Sequence, residues 1–282
     1  MSGTLHVVAT PIGNLGDLSA RAVEVLRSSA TVACEDTRRT GAMLSRLGIA
    51  TPMLSLHKFN EAGRVEEVLA SLASGRDVAL VSDGGTPGIS DPGAWVVRAA
   101  LEAGYRVSPV PGPCAVAALL SASGLPADRY VFEGFLPHRE GERRRRLREL
   151  RGETRTFVCF EAPHRVKDTL ADLAEIVGDR TIVLGRELTK LHETIVRGTP
   201  SEVLAALGEG NVPGEIAIAV AGADASGARS GDDDATAARI REVWTAARAS
   251  SRDRHAALKA AAKELGLKRA ELQRRLAELG EP

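Results

Sequence analysis

The stretch that most constrains this chain is residues 77–93, DVALVSDGGTPGISDPG, where a short apolar run leads directly into a loop rich in glycine and proline. The run at residues 78–81 is typical of a strand covered on both faces of a sheet. The glycines permit positive φ or close backbone approach, and the prolines stiffen the path. Because open α/β sheets bind ligands at strand carboxyl ends, we expect a ligand loop in which Asp83 holds a hydroxyl or ammonium group. The alternative is a tight connection in which Asp91 caps the next helix.

Apolar strand-like runs alternate with helical segments along the first part of the chain. The runs lie at residues 5–9, 30–34, 54–56, 78–81 and 106–110. This alternation predicts an α/β domain over residues 1–123. Glycine, proline and aspartate cluster just after it, which indicates a domain boundary.

A second set of strand-like runs begins at residue 130 and predicts a second α/β domain over residues 124–223. Residues 224–234, DASGARSGDDD, have no apolar periodicity and read as a linker. Residues 235–282 predict a small all-α module resembling a helix-turn-helix. From residue 251 onward it has eight basic and five acidic residues, so its surface suits nucleic acid or a protein partner.

Composition excludes several classes of protein. The 282 residues carry no net charge, so any nucleic-acid binding depends on local patches. Cys34, Cys114 and Cys159 are too far apart for a zinc motif or a disulfide framework, which indicates a reducing compartment and no metal site. No apolar run reaches the roughly 18 residues of a membrane span, and the N-terminus lacks a signal-peptide pattern. We therefore expect a soluble, cytoplasmic protein with no membrane association.

Charged residues follow two of the predicted strands. Glu35 and Asp36 precede Arg38 and Arg39 at the start of a helix, where acids suit the helix dipole but arginines do not. The arginine pair therefore suggests an anion or phosphate site. Residues 185–193, GRELTKLHE, bring acids, a lysine and a histidine to one strand end, which suits either proton transfer or a surface ion-pair cluster.

Residues 138–155 contain eight arginines against four glutamates. A solvated helix face is the simplest interpretation of such a segment. Phosphate recognition is the alternative, since arginine rather than lysine is the residue that it favours.

Nine motifs resemble, in order and spacing, those of the bacterial small-subunit ribosomal RNA (cytidine-2'-O)-methyltransferases of the tetrapyrrole methylase-like superfamily. They are ATPIGNLGDLS, EDTRRTG, LHKFNE, VSDGGTPGISDPG, PGPCA, EGFLP, EAPHR, RELTKLHET and GEIAIAV. The resemblance covers about residues 4–222, and the tail is similar to the helix-turn-helix at the end of the same enzymes. The loop ATPIGNLGD lacks the GxGxG pattern of tetrapyrrole-modifying relatives, which favours the RNA branch.

The resemblance implies two α/β domains of tetrapyrrole methylase type, with S-adenosylmethionine bound in the cleft between them. It also implies a cytoplasmic homodimer that methylates the ribose of a cytidine in 16S rRNA, at the decoding centre of the small ribosomal subunit. Hydroxyl residues are common at positions 114 and 115 in tetrapyrrole relatives, so only backbone contacts are expected there. Matched by motif, the cofactor-binding residues are Pro11, Asp83, Gly84, Gly85, Thr86, Ile89, Cys114, Ala115, Phe160, Pro213 and Gly214.

Methyl transfer to a ribose hydroxyl calls for close positioning and for a group that activates the hydroxyl. Lys190 would either orient the hydroxyl or accept its proton. The candidate catalytic residues are Glu35, Asp36, Arg38, Lys190 and Glu193, with no metal. The candidate RNA-binding residues are Arg38, Arg39, Arg143, Arg144, Arg145 and Arg146. The competing functions are C-methylation of a tetrapyrrole or corrinoid and non-enzymatic regulation through nucleic-acid binding.

Overall fold

The computed structural model describes residues 2–56, 61–223, 231–251 and 253–265, together with residues 267, 269, 272, 273 and 276. Side chains are described for all of these except residues 61–63 and 231–238. The described residues as far as 222 form one compact unit, and those from 223 onward form a second. Motif residues 57–60 and linker residues 224–230 lie outside the described part of the chain.

The first unit begins with a five-stranded sheet in the order β3-β2-β4-β1-β5, in which every neighbouring pair is parallel. Its strands are β1 (Thr4–Val8), β2 (Thr31–Cys34), β3 (Met53–Ser55), β4 (Val78–Leu80) and β5 (Arg106–Val110). Its helices are α1 (Ala20–Ser28), α2 (Thr37–Arg46), α3 (Glu61–Ala73), α4 (Ala94–Glu102) and α5 (Ala115–Ser123). Because the strands are parallel, the loops after β1, β2, β4 and β5 leave the same edge of the sheet.

Both faces of this sheet are covered, as the apolar runs predicted. Val78 and Leu80 of β4 pack into the core on one face, while Ala79 and the following Val81 pack into the core on the other. A strand with two buried faces has no polar alternation, which is why residues 78–81 are uniformly apolar.

A second five-stranded sheet has the order β6-β7-β10-β8-β9. The pair β6 and β7 is parallel, and the other pairs are antiparallel. The strands are β6 (Tyr130–Phe135), β7 (Thr156–Glu161), β8 (Ile182–Arg186), β9 (Thr194–Gly198) and β10 (Ile216–Val220). The helices are α6 (Glu140–Leu150), α7 (Val166–Val177) and α8 (Pro200–Ala206). Strand β9 was not predicted.

The two sheets are joined by a shared apolar layer. Leu119 of α5 packs with Val158 of β7 and Val183 of β8, and Ile12 from the loop after β1 packs against the same cluster. This layer places the loop edge of the first sheet against the second sheet. The α/β architecture with one parallel and one mixed sheet agrees with the predicted fold class, while the domain boundary at residues 123 and 124 stays a prediction.

The arginine-rich segment forms α6, and much of its charge is neutralised by other elements. Arg143 is buried, and its Nε donates to Asp172 Oδ2 of α7 at 2.7 Å. Arg144 Nη1 donates to the other oxygen of Asp172 at 2.6 Å, and Arg146 Nε donates to Glu133 of β6 at 2.8 Å. The predicted RNA contact of Arg143 is therefore wrong, because a buried and paired guanidinium has no surface to offer a phosphate. Arg145 is exposed and forms no ion pair within the described residues.

The second unit contains α9 (Gly231–Ser250) and α10 (Arg254–Glu264). The first of these begins four residues before the predicted start at residue 235, which is consistent with the preference of acidic residues 232–234 for a helix N-terminus. Ile240, Trp244, Leu258 and Leu272 form its core. The last predicted helix of the module, residues 268–279, lies largely outside the described residues, so the helix-turn-helix assignment stays a prediction. None of the described helices is both long enough and apolar enough to cross a membrane.

Candidate functional site

Three of the loops at the carboxyl edge of the first sheet are hydrogen-bonded to one another. Thr10 N donates to Gly85 O at 2.8 Å, and Gly85 N donates to Thr10 O at 2.9 Å, so the loops after β1 and β4 form a two-residue bridge. The hydroxyl of Thr86 donates to Pro113 O at 3.1 Å, which ties in the loop after β5. The backbone of these loops therefore forms a fixed surface.

Glycine is required at the centre of this surface. Gly85 has φ of +89°, a left-handed conformation that other residues adopt only with strain. A Cβ added to Gly84 would lie 3.4 Å from Pro11 O. Gly85 therefore needs glycine for its backbone conformation, whereas a side chain at Gly84 would meet Pro11 at an ordinary contact distance.

Asp83 links this surface to the start of α2. Its Oδ1 accepts a hydrogen bond from Asp36 N at 3.0 Å, and Arg39 Nη1 lies 3.6 Å from its Oδ2. Asp36 is the N-cap of α2 and also accepts two bonds from the Arg38 side chain, which hold the pKa of the Asp36 carboxyl well below its usual range. Arg38 itself is almost fully exposed. Asp36 and Arg38 thus act as a helix cap and its partner.

A cavity of about 390 Å³ lies between the fixed loops and the second sheet, and we call it the first cavity. Of the eleven predicted cofactor-binding residues, Pro11 and Pro213 do not line it: Pro11 borders a neighbouring cavity, and Pro213 is exposed. The nine that do line it are Asp83, Gly84, Gly85, Thr86, Ile89, Cys114, Ala115, Phe160 and Gly214.

The first cavity has an acidic lining with apolar walls. Four of its lining residues are carboxylates, and Arg39 is the single cation among its described lining residues. Ile12, Leu188 and Ala217 supply apolar wall from both halves of the unit. The carboxylates are Asp83, Asp91, Glu161 and Glu215.

Glu161 is the one carboxylate of this set that is neutralised by a buried partner. Arg165 Nη2 lies 2.5 Å from its Oε1, Thr169 donates to its Oε2 at 2.6 Å, and Ala162 N donates to its Oε1 at 2.7 Å. These bonds fix the turn at Ala162 and Pro163, which borders the cavity. The motif EAPHR shows this pair only as a glutamate and an arginine four residues apart.

Asp91 is the carboxylate whose ionisation the fold most disfavours. Burial raises its pKa, a hydrogen bond from Ser82 partly offsets this, and the charges of Asp83 and Glu215 raise it further. It does not cap α4, whose N-cap is Gly93. The sequence suggests only a helix cap for Asp91, because Glu215 comes from a distant part of the chain.

Replacing Asp91 with asparagine is expected to raise the Tm at pH 7. The Asp91 pKa is higher in the folded state than its ordinary value of 3.8, so the folded state binds more protons between pH 3.8 and that raised pKa. The free energy of unfolding therefore falls as the pH rises through this interval. The neutral amide removes this loss, and the advantage should vanish below pH 3.8. Thermal unfolding at pH 7 and at a pH below 3.8 measures the effect. Asp128→Asn, at an exposed position, is the matched control. A lower Tm for Asp91→Asn at pH 7 would contradict it.

A second cavity, of about 500 Å³, adjoins the first and shares Ile12, Arg39, Asp83 and Glu215 with it. Lys190 lines this second cavity, where its Nζ contacts Glu187 Oε1 at 2.8 Å and Glu215 Oε2 at 3.2 Å.

Partial burial lowers the pKa of Lys190, but the two carboxylates outweigh that effect and the net pKa is raised. Lys190 is therefore an ammonium ion at neutral pH. A raised pKa favours the role in which Lys190 orients the hydroxyl over the role in which it accepts a proton.

The loop that carries Lys190 is held in a strained backbone. Glu187 and Thr189 have positive φ, at +53° and +67°, and Glu187 Oε1 also accepts from Glu215 N at 2.9 Å. Glu193 accepts from Thr189 N at 2.6 Å, so it shapes the loop rather than facing a cavity. A Cβ on Gly13 would lie 2.3 Å from Lys190 Cγ, which shows how closely this loop packs on the loop after β1.

The predicted catalytic residues are therefore only partly brought together. Lys190 lies beside the shared wall, whereas Glu35, Asp36, Arg38 and Glu193 line neither cavity. Glu187 and Glu215 lie within the motifs RELTKLHET and GEIAIAV, but neither is among the predicted catalytic residues. The sequence signal that could have identified them is a glutamate at the junction of a strand and a glycine-containing loop.

Residues 4–204 match the model of the family described as Tetrapyrrole (Corrin/Porphyrin) Methylases. The chain is 52% identical over 224 residues to the ribosomal RNA small subunit methyltransferase I of Xylella fastidiosa (strain Temecula1), covering 78% of this chain and 82% of the relative. It is 49% identical over 222 residues to the protein of the same name from Synechocystis, covering 78% and 80%.

Solved structures show the same fold at low identity. A cobalt precorrin-4 methyltransferase superposes with a TM-score of 0.58 at 17% identity, covering 77% of this chain and 94% of the other. The Thermus thermophilus uroporphyrin-III C-methyltransferase, described as complexed with S-adenyl homocysteine, gives 0.55 at 19% identity, covering 77% and 97%. This chain belongs to the tetrapyrrole (corrin/porphyrin) methylase family, in the group whose members are named ribosomal RNA small subunit methyltransferase I.

Proposed function

We propose that this protein transfers a methyl group from S-adenosylmethionine to the 2'-hydroxyl of a cytidine in the 16S rRNA of the small ribosomal subunit. The observation that carries the proposal is the pairing of an acidic, apolar-walled cavity with a cation-bearing one across a shared wall. The names of the relatives at about 50% identity supply the class of RNA. The choice of the ribose hydroxyl and of a cytidine is inferred from the motif resemblance.

The first cavity fits this cofactor. Its volume of about 390 Å³ lies in the range of small-molecule sites, roughly 300–1,000 Å³. The carboxylates suit a ligand that carries a sulfonium and an ammonium group, and the apolar walls suit its adenine. A dinucleotide would need cations for its pyrophosphate, and Arg39 alone among the described lining residues is cationic. The backbone of residues 84–86 would hold the amino-acid end.

When bound, the cofactor supplies an electrophilic methyl group for in-line displacement, with the ribose oxygen as nucleophile. The side chains must then hold that oxygen about 3–3.5 Å from the methyl carbon. Lys190, whose pKa is raised by its two carboxylate partners, lies beside the shared wall, where its ammonium orients the oxygen and stabilises its developing negative charge. We assign receipt of the hydroxyl proton to Asp83 or Glu215, because both carboxylates lie on the shared wall.

Of the five catalytic candidates, we retain Lys190 as the residue that contacts the substrate. We assign positioning roles to Asp36, which caps α2, and to Glu193, which shapes the Lys190 loop. We also propose that the C-terminal helical module contacts RNA as a helix-turn-helix, and that the enzyme works in the cytoplasm. A homodimer is supported by large apolar side chains that are about half exposed, namely Trp95, Leu101, Tyr130 and Phe135.

Labelled S-adenosylmethionine is expected to transfer its methyl group to unmodified small subunits or their RNA, and the label should map to the ribose of one cytidine. Gly85→Ala is expected to weaken cofactor binding about tenfold or more, because φ of +89° strains a side chain by about 1–3 kcal/mol. Gly141→Ala is the matched control, since Gly141 has open space around it. Calorimetric titration measures the affinity. Label on a base, or no label on RNA, would contradict the proposed function.

A further inference from the structure

The second cavity carries the opposite charge pattern to the first. Its charged lining comprises three cations, Arg39, Arg46 and Lys190, against two carboxylates, Asp83 and Glu215. Both carboxylates lie on the wall shared with the first cavity. The part of the second cavity beyond that wall therefore has a net positive lining, which suits an anion rather than a sulfonium cofactor.

Of the three cations that line the second cavity, Arg46 is the one without a partner among the described residues. It lies in the last turn of α2, is exposed, and has no ion-pair or hydrogen-bond partner among the described residues. By contrast, Arg39 lies 3.6 Å from Asp83, and Lys190 is held by two glutamates. An unpaired guanidinium at the rim of a cavity has the donor geometry that a phosphate requires.

The rest of the lining includes apolar surface on which a nucleobase can pack. Leu15, Met43 and Pro11 line the second cavity together with Arg46. The volume of about 500 Å³ can take one nucleotide, but a base inside a duplex could not reach into such a recess.

We propose that the second cavity receives one unpaired nucleotide of the RNA substrate, with its phosphate held by Arg46 and Arg39. Its base lies on Leu15 and Met43, and its ribose reaches the wall shared with the cofactor cavity, beside Lys190. This assignment rests on the proposed function, and it adds the substrate class: a nucleotide that is single-stranded or turned out of its stack. Arg46 becomes a binding residue that no motif singled out.

The test is the affinity of the full-length protein for a short single-stranded RNA with a central cytidine, followed by fluorescence anisotropy. Arg46→Gln is expected to weaken RNA binding about tenfold and to reduce the slope of log affinity against log salt by about 0.7, the value for one phosphate contact on a single strand. Ala42→Trp, which places a large side chain in the second cavity from the exposed face of α2, should weaken RNA binding at least as much. Cofactor affinity should stay within about twofold of the wild-type value in both variants.

Arg98→Gln is the matched control, because Arg98 is an exposed arginine on α4 that lines neither cavity. Equal losses of RNA affinity in Arg46→Gln and Arg98→Gln would overturn the subsite, as would equal affinity for single-stranded and fully paired RNA. Failure of the wild-type protein to methylate RNA would instead overturn the proposed reaction. RNA binding that still depends on Arg46 in that case would support the subsite, so the two failures are separable.

Discussion

Replacing Lys190 with alanine is expected to lower the rate of methyl transfer by about 10²–10³-fold, the effect of removing one preorganised charge from a transition state. Lys190 lines the second cavity and not the first, so cofactor affinity should change by less than about twofold. Single-turnover rates with saturating RNA and cofactor measure the first quantity, and calorimetry measures the second.

Two further variants make this result specific. Lys190→Arg keeps the charge but not the compact ammonium geometry, and it is expected to retain an intermediate rate. Lys167→Ala is the matched control, because Lys167 lines neither cavity and its ammonium donates to Gly208 O and Gly210 O. An unchanged single-turnover rate in Lys190→Ala, or a parallel loss of cofactor affinity, would refute the role.

Elements bounded by local signals were predictable from the sequence. The bounds of β5 agree with the predicted run at residues 106–110, because the turn PGP follows the strand directly, and Gly124, at φ of +65°, ends α5. Strand β9 was missed, since its residues alternate between half-buried and exposed and it depends on pairing with β8. A strand of this kind is stabilised mainly by pairing with the adjacent strand, so its own five residues give little sequence evidence for a strand.

The candidate site was predictable to the extent that it is built from loop backbone. Nine of the eleven predicted cofactor residues line one cavity, because glycine and proline in a loop after a strand have a direct geometric meaning. The side-chain roles were less accessible. Asp91 and Glu215 line the same cavity because the apolar layer around Leu119 sets the second sheet against the first, and that long-range packing leaves no local pattern.

The arginines of α6 show that a local pattern can also suggest a contact that the folded chain does not make. A run of four arginines suggests a surface for phosphate, but the helix turns Arg143 inward and the partner, Asp172, lies 29 residues further along the chain. The residue type predicts a strong anion contact, and the anion proves to be one of the chain's own carboxylates. Only the tertiary structure distinguishes the two cases.

Replacing Asp172 with alanine is expected to lower the free energy of unfolding by about 3–5 kcal/mol, because it leaves the buried Arg143 guanidinium without its counter-charge. Denaturant unfolding measures the loss. Glu175→Ala is the matched control: it removes the exposed end of the same network and should cost less than about 1 kcal/mol. Similar losses in the two variants would contradict the structural role.

The double variant Arg143→Met with Asp172→Leu separates structure from RNA recognition. Replacing both buried partners with apolar residues is often close to neutral, so most of the lost stability should return. RNA affinity should match that of the wild-type protein, because Arg143 is buried against α7 and offers no surface to a phosphate. A stable double variant with weakened RNA binding would show that Arg143 reaches the RNA after all, and the anion site would then have to extend from α2 to α6.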